Sequence, residues 1–206
     1  MTEKVMYNSQ HNADPEGSRK MERRNENFRK RRSYYDDYKK TASGEYIYAG
    51  LRYEYVSKTG KTRAAWMRDM LLMCIAAFAI VFVPGFLHVP GLNNCAYVLL
   101  PYGVGIIAAG YLVVITARLA MAKDDIKAWE YDRSIKAFPG GTVFLMIMCA
   151  ANIICEIVYV ALNGIGGKTA EFIIYLVCQL AAGAFALLIS RLVKSVKWKV
   201  IESNGI

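Results

Sequence analysis

The residue with the most pointed chemistry in this chain is Glu156, a carboxylate set in an otherwise apolar stretch. Asn152 precedes it by four positions, so on a helix the two share a face. At about 1.5 Å of rise per residue, Glu156 sits roughly 10 Å from the outer end of its helix. Gln179 reaches roughly 13 Å into the next apolar stretch by the same rise. Tyr102 and Tyr175 fall in the same layer of their own stretches. An ionised carboxylate in hydrocarbon costs several kcal/mol, on the order of 3, unless partnered, so Glu156 must face other helices. Glu156, Asn152, Gln179, Tyr102 and Tyr175 form the candidate intramembrane polar cluster. Such a cluster contacts a solute, proton or cation in transport or sensing, or it holds helices in register through amide hydrogen bonds. One acid without an intramembrane Arg, Lys or His makes a thin proton path, which favours the structural role.

Other chemistry is thin. The five cysteines, Cys74, Cys95, Cys149, Cys155 and Cys178, form no CxxC or CxxxC pattern, and only Cys95 lies near the outer surface. No disulfide framework, zinc site or other metal site is expected. His11 and His88 are far apart, and no nucleophile, phosphate-loop or metalloprotease motif occurs. Lys58-Thr59-Gly60-Lys61-Thr62 looks like a piece of a phosphate loop but lacks its upstream Gly, and reads as a turn. No enzyme activity and no cofactor are expected.

The elements that must position the polar cluster follow from apolar length. A bilayer core of about 30 Å needs about 20 helical residues. Four stretches qualify: Met70 to about Leu87, about Cys95 to Ala117, about Thr142 to Leu162, and about Ala170 to Ser190. Backbone polar groups must be satisfied within lipid, so helix is the expectation. The fold class is all-α: a polytopic membrane protein with four transmembrane helices. Residues 1–68 hold 16 of the 26 cations and nine of the 17 anions, so the chain is bimodal and a soluble globular domain is excluded. Residues 1–68 contain no apolar run of seven or more, which argues against a signal peptide.

Charge sets the orientation. The connector His88–Asn94 has no Lys or Arg, and Asn163–Thr169 has only Lys168. Arg118–Gly140 has five and the C-terminal tail four, so 25 of 26 cations share one side. By the positive-inside rule both termini face the cytoplasm, with Trp66 and Trp198 as interfacial anchors.

Shifting the chain by 73 residues aligns its halves without a gap, with 12 identities over 49 positions, 71–119 against 144–192. Ala108-Ala109-Gly110 falls on Ala181-Ala182-Gly183, and Tyr102 falls on Tyr175. The spans thus read as two tandem helical hairpins of like topology, related by a pseudo-two-fold axis along the membrane normal. Glu156 and Asn152 fall opposite Val83 and Ala79, so the polar cluster is asymmetric. Small residues let membrane helices approach closely. Gly103, Gly105, Ala109 and Gly110 on the second helix, and Ala182, Gly183 and Ala186 on the fourth, are the candidate packing positions. Pro84-Gly85 and Pro101 can loosen the helical ladder.

Residues 1–43 read as a disordered, basic cytoplasmic tail. Arg29, Lys30, Arg31 and Arg32 are followed by Tyr34, Tyr35 and Tyr38. Basic residues among aromatics can bind RNA, but beside a bilayer they bind anionic lipid head groups more simply, at about 1 kcal/mol per cation. Lys61, Arg63 and Arg68 join that lipid-contact set, and nucleic acid is not the expected partner. Residues 44–68 form a juxtamembrane segment. Within it 45–56 reads as a small β-ribbon, with turn signals at Ala49-Gly50 and tyrosines exposed for protein contact. The remaining divisions are a first hairpin 69–119, a connector 120–141, a second hairpin 142–192 and a tail 193–206. The connector should extend the second helix and then run along the interface.

The expected function is a non-enzymatic accessory or scaffold component in a bacterial plasma membrane, working through helix contacts and its cytoplasmic face. A small-solute or ion transporter, or its membrane subunit, is the alternative, using the Glu156 layer. Either reading implies a homo-oligomer or a larger membrane partner.

Overall fold

The computed structural model describes residues 38–40, 44–58, 60–122 and 126–201. Arg29, Lys30, Arg31 and Arg32 of the expected lipid-contact set lie outside the described residues. The described residues divide into two compact units, one up to Gly50 and one from Leu51 onward. In the first, β1 (Tyr38–Lys40) pairs antiparallel with β2 (Tyr46–Tyr48), and the Tyr38 and Tyr48 rings meet edge-on at 5.3 Å.

The second unit begins with β3 (Arg52–Ser57) and enters α1 (Arg63–Phe82). Thr62 caps α1, its Oγ1 accepting the Ala65 N–H at 3.3 Å. A 3-10 turn, Val83–Phe86, ends the span at Pro84, and the short α2 (Pro90–Asn94) follows. Then come α3 (Ala96–Met121), β4 (Ile126–Lys127), α4 (Ala128–Ser134), α5 (Ala137–Asn163), α6 (Thr169–Lys194) and β5 (Val196–Ile201). Pro101 lies inside α3 without ending it. Gly164 closes α5 at φ 79°, a conformation that only glycine adopts cheaply. The helical stretches Arg63–Phe86, Ala96–Met121, Ala128–Asn163 and Thr169–Lys194 are each long and apolar enough to cross a bilayer.

The four long helices pack in a ring: α1 against α3, α3 against α5, α5 against α6, and α6 against α1. Buried positions recur every three and four residues. They are Met67, Met70, Cys74, Ala77 and Val81 on α1, and Phe138, Thr142, Leu145, Cys149, Asn152 and Glu156 on α5. On α6 they are Tyr175, Gln179, Ala182, Ala186 and Ile189. This seven-residue seam is the spacing of left-handed helix packing, in which side chains of one helix fill gaps of the next. Outward positions are as apolar as inward ones: Ile107 is 73 % exposed and Leu180 65 %. That is the surface a lipid-facing bundle presents.

The described residues are mostly helical, with the four long apolar helices expected, and short strands stand beside them. The ribbon expected within 45–56 does not form as one hairpin, because β2 and β3 take different partners. β3 is the centre of a three-stranded antiparallel sheet, β4-β3-β5, with Tyr53 opposite Ile126 and Val200, and Tyr55 opposite Trp198. The physical reason is that two short strands alone are marginal, whereas a third strand and a packed face stabilise them. The connector therefore turns back into the sheet rather than simply extending α3. Of the tyrosines expected to be exposed, Tyr46 is exposed, Tyr48 is buried, and Tyr53 and Tyr55 are half-buried. Tyr53 stacks on Tyr131 at 4.0 Å, and Tyr55 lies 5.8 Å from both Trp66 and Trp198. These rings cover the end of the bundle.

Hydrogen bonds tie the same end together. The Trp66 Nε1–H donates to the Leu192 carbonyl at 3.1 Å. Arg63 donates to the Ala122 carbonyl at 2.9 Å and to that of Leu119 at 3.4 Å, a cation at the C-terminal end of α3 where the helix dipole favours it.

Candidate functional site

The five residues of the polar cluster are all buried, and they come from three of the long helices. Glu156 and Asn152 lie on the seam of α5, and Tyr175 and Gln179 on that of α6. Both pairs are four residues apart, and α5 and α6 are consecutive, closely packed helices. The Asn152 amide reaches the Gln179 Oε1 at 3.5 Å, a long contact. The Tyr102 and Tyr175 rings lie 6.3 Å apart with planes tilted by 45°. Tyr102 donates its hydroxyl to the Phe82 carbonyl at 3.1 Å, where α1 gives way to the Pro84 turn.

The partner of Glu156 comes from outside the long helices. Its Oε1 accepts the Gly91 N–H of α2 at 2.9 Å. A Cβ built on Gly91 would lie 2.5 Å from Glu156 Oε2 and 3.0 Å from Tyr159 Cγ, so only glycine fits without a shift. Val89, Leu92, Val98, Tyr102 and Tyr175 pack into a small apolar cluster around this contact. The segment between α1 and α3 thus folds over the cluster and closes it. Four side-chain atoms of the layer, Asn152 Oδ1, Glu156 Oε2, Tyr175 OH and Gln179 Nε2, are buried with no hydrogen-bond partner among the described residues. Donors and acceptors are both represented among these atoms.

Sequence reasoning missed Gly91, because its role depends on a contact 65 positions away. The signal available was its neighbour Pro90, which favours the first turn of a helix.

The candidate packing positions fare differently from one another. Ala109, Ala182 and Ala186 are buried in the main core. Gly105 faces Asn152, whose Nδ2 would lie 3.5 Å from an added Cβ, and Gly110 faces the Phe78 ring. Gly103 and Gly183 meet no neighbouring atom within 4 Å of such a Cβ, so they make no close helix approach here. In the ring, α3 and α6 stand diagonally, each packing on α1 and α5.

The lipid-contact residues also divide. Lys61 pairs with Asp69 at 2.6 Å, and Arg63 is turned inward to the end of α3. Arg68 remains exposed, 3.7 Å from Asp69. No group of three His, Cys, Asp or Glu able to hold a metal occurs among the described residues.

Family models, curated proteins and solved structures yield no significant match to the chain. Its class follows from its own architecture: four long apolar helices make it an integral membrane protein of helical type.

Proposed function

We propose that the protein is a non-enzymatic accessory or scaffold component of a membrane, working through lateral helix contacts and through the face at which β3, β4 and β5 meet. The observation that carries this reading is that sheet. It joins the segment before α1, the connector after α3 and the segment after α6 into one platform. Its outer surface exposes Glu54, Val56, Lys197 and Lys199. Among the described residues β5 pairs with one strand only, so its other edge is one to which a further strand could add. The distribution of Lys and Arg supports a cytoplasmic location for this platform and for both termini. The ring α1-α3-α5-α6 supports two tandem hairpins, since a two-fold exchange of α1 with α5 and α3 with α6 preserves every neighbour. A bacterial plasma membrane and a homo-oligomer or larger membrane partner complete the reading.

The test is affinity capture of the full chain from native membranes beside a Lys197→Glu, Lys199→Glu double variant. A protein held by the wild type and lost from the variant supports the scaffold role. An identical captured set from both overturns the platform as its site.

The unpartnered atoms around Glu156 favour a second reading, a small-solute or ion transporter or its membrane subunit. Glu156→Gln keeps an acceptor for the Gly91 N–H while removing the charge. Unchanged solute flux in vesicles containing the folded variant would count against transport.

A further inference from the structure

A wide groove on the described surface lies away from the Glu156 layer. This cavity of about 660 Å³ opens between the C-terminal half of α3 and α4. Its α3 wall carries Tyr111, Val114, Arg118 and Met121, and its α4 wall carries Trp129 and Arg133. Tyr111, Val114 and Met121 are exposed and Tyr111 lies seven residues from Arg118, so the apolar part runs roughly 10 Å deeper along α3 than the cation. Arg118 and Arg133 are exposed, and no ion pair engages either among the described residues. The one acid in the lining, Glu130, accepts the Lys127 backbone N–H at 3.3 Å.

These features have a depth order. Two guanidinium groups and an exposed Trp lie at the end of the span, where head groups and aromatic anchors of a bilayer sit. An apolar trough continues into the depth of acyl chains. Guanidinium groups recognise phosphate through paired N–H donors better than ammonium groups do. We propose that this groove seats one anionic phospholipid of the leaflet at the sheet end of the bundle. Arg118 and Arg133 hold the head-group phosphate, and one acyl chain lies along Val114 and Tyr111. The lipid would cover the open seam between α3 and α4, making it part of the folded surface rather than bulk solvent.

The full chain in detergent, stripped of lipid, is titrated with phosphatidylglycerol, with phosphatidylcholine of the same acyl chains, and with soluble glycerophosphate, and retention is read by native mass spectrometry. The expected result is a preference for phosphatidylglycerol over phosphatidylcholine on the order of tenfold, with two nearby cations as its source. An Arg118→Gln, Arg133→Gln double variant should reduce that preference below about twofold. Arg118→Lys, Arg133→Lys should keep part of it, and Arg191→Gln, an exposed cation outside the groove, should leave it unchanged. Val114→Trp fills the trough and should lower retention of both lipids while the helical circular dichroism stays intact. Equal retention of the two lipids by the wild type overturns the proposal. So does an unchanged preference in the folded double Gln variant, or glycerophosphate binding as tightly as the lipid.

Discussion

The Glu156 carboxylate on α5 accepts the Gly91 backbone N–H from the short helix between α1 and α3 at 2.9 Å. This single contact couples the most polar residue of the spans to a segment that belongs to none of them. It also explains why the layer is shut: the chain that leaves α1 is folded down onto the acid and held there, with Val89 and Leu92 buried beside it.

Gly91→Ala should therefore be costly. An added Cβ falls 2.5 Å from Glu156 Oε2, so the segment or the acid must move, at about 1–3 kcal/mol. Combining it with Glu156→Asp, which withdraws the carboxylate by one methylene, should recover on the order of 0.5 kcal/mol or more in a double-mutant cycle. Reversible unfolding in mixed micelles measures both. A Gly91→Ala variant as stable as the wild type would dismiss the contact.

Glu156→Leu should lose more stability than Glu156→Gln. The glutamine offers a carbonyl to the Gly91 N–H, whereas leucine leaves a buried donor unmade at about 1–3 kcal/mol. The same unfolding experiment ranks the two. Equal stabilities would mean that the hydrogen bond contributes nothing.

Trp66→Ala should lower stability by about 3–5 kcal/mol, because the ring is 1 % exposed and fills the junction of sheet and bundle. Trp66→Phe should cost less, losing mainly the Nε1–H bond to the Leu192 carbonyl. A thermal melt followed by tryptophan fluorescence distinguishes them, and near-wild-type behaviour of the alanine variant would contradict the packing described.

Truncation after Ser195 removes β5 and with it the longer partner of β3. Trypsin should then cleave at Arg52 and Lys58 at least tenfold faster, roughly the effect of losing about 1.4 kcal/mol of local protection. Peptide mapping against time gives the rates. Unchanged protection would mean that β4 and the bundle suffice to hold β3.

The proposed orientation has its own check. A membrane-impermeant maleimide added to intact cells should label Asn163→Cys and spare Lys197→Cys, each compared with the native-cysteine background. The reverse pattern would invert the topology, and labelling of both would break it.

Four apolar lengths determined four helices, and the Lys and Arg distribution carries the expected orientation. The members of the polar layer were also legible, since an acid and two amides stand out in apolar stretches. The packing seam was not. Met70, Cys74, Ala77 and Val81 face the core while Leu72 and Ile75 face outward, and all six are apolar. In water the two faces of a helix differ in polarity and reveal themselves, but lipid accepts the same residues as the core does, so only packing geometry chooses between them. The strand character of Tyr53 and Tyr55, alternating with polar neighbours, was likewise open to reading. That Tyr55 pairs with Trp198, and that Gly91 closes over Glu156, was decided in three dimensions. Local pattern specifies an element, but a partner distant in the chain is chosen by which surfaces the bundle brings together.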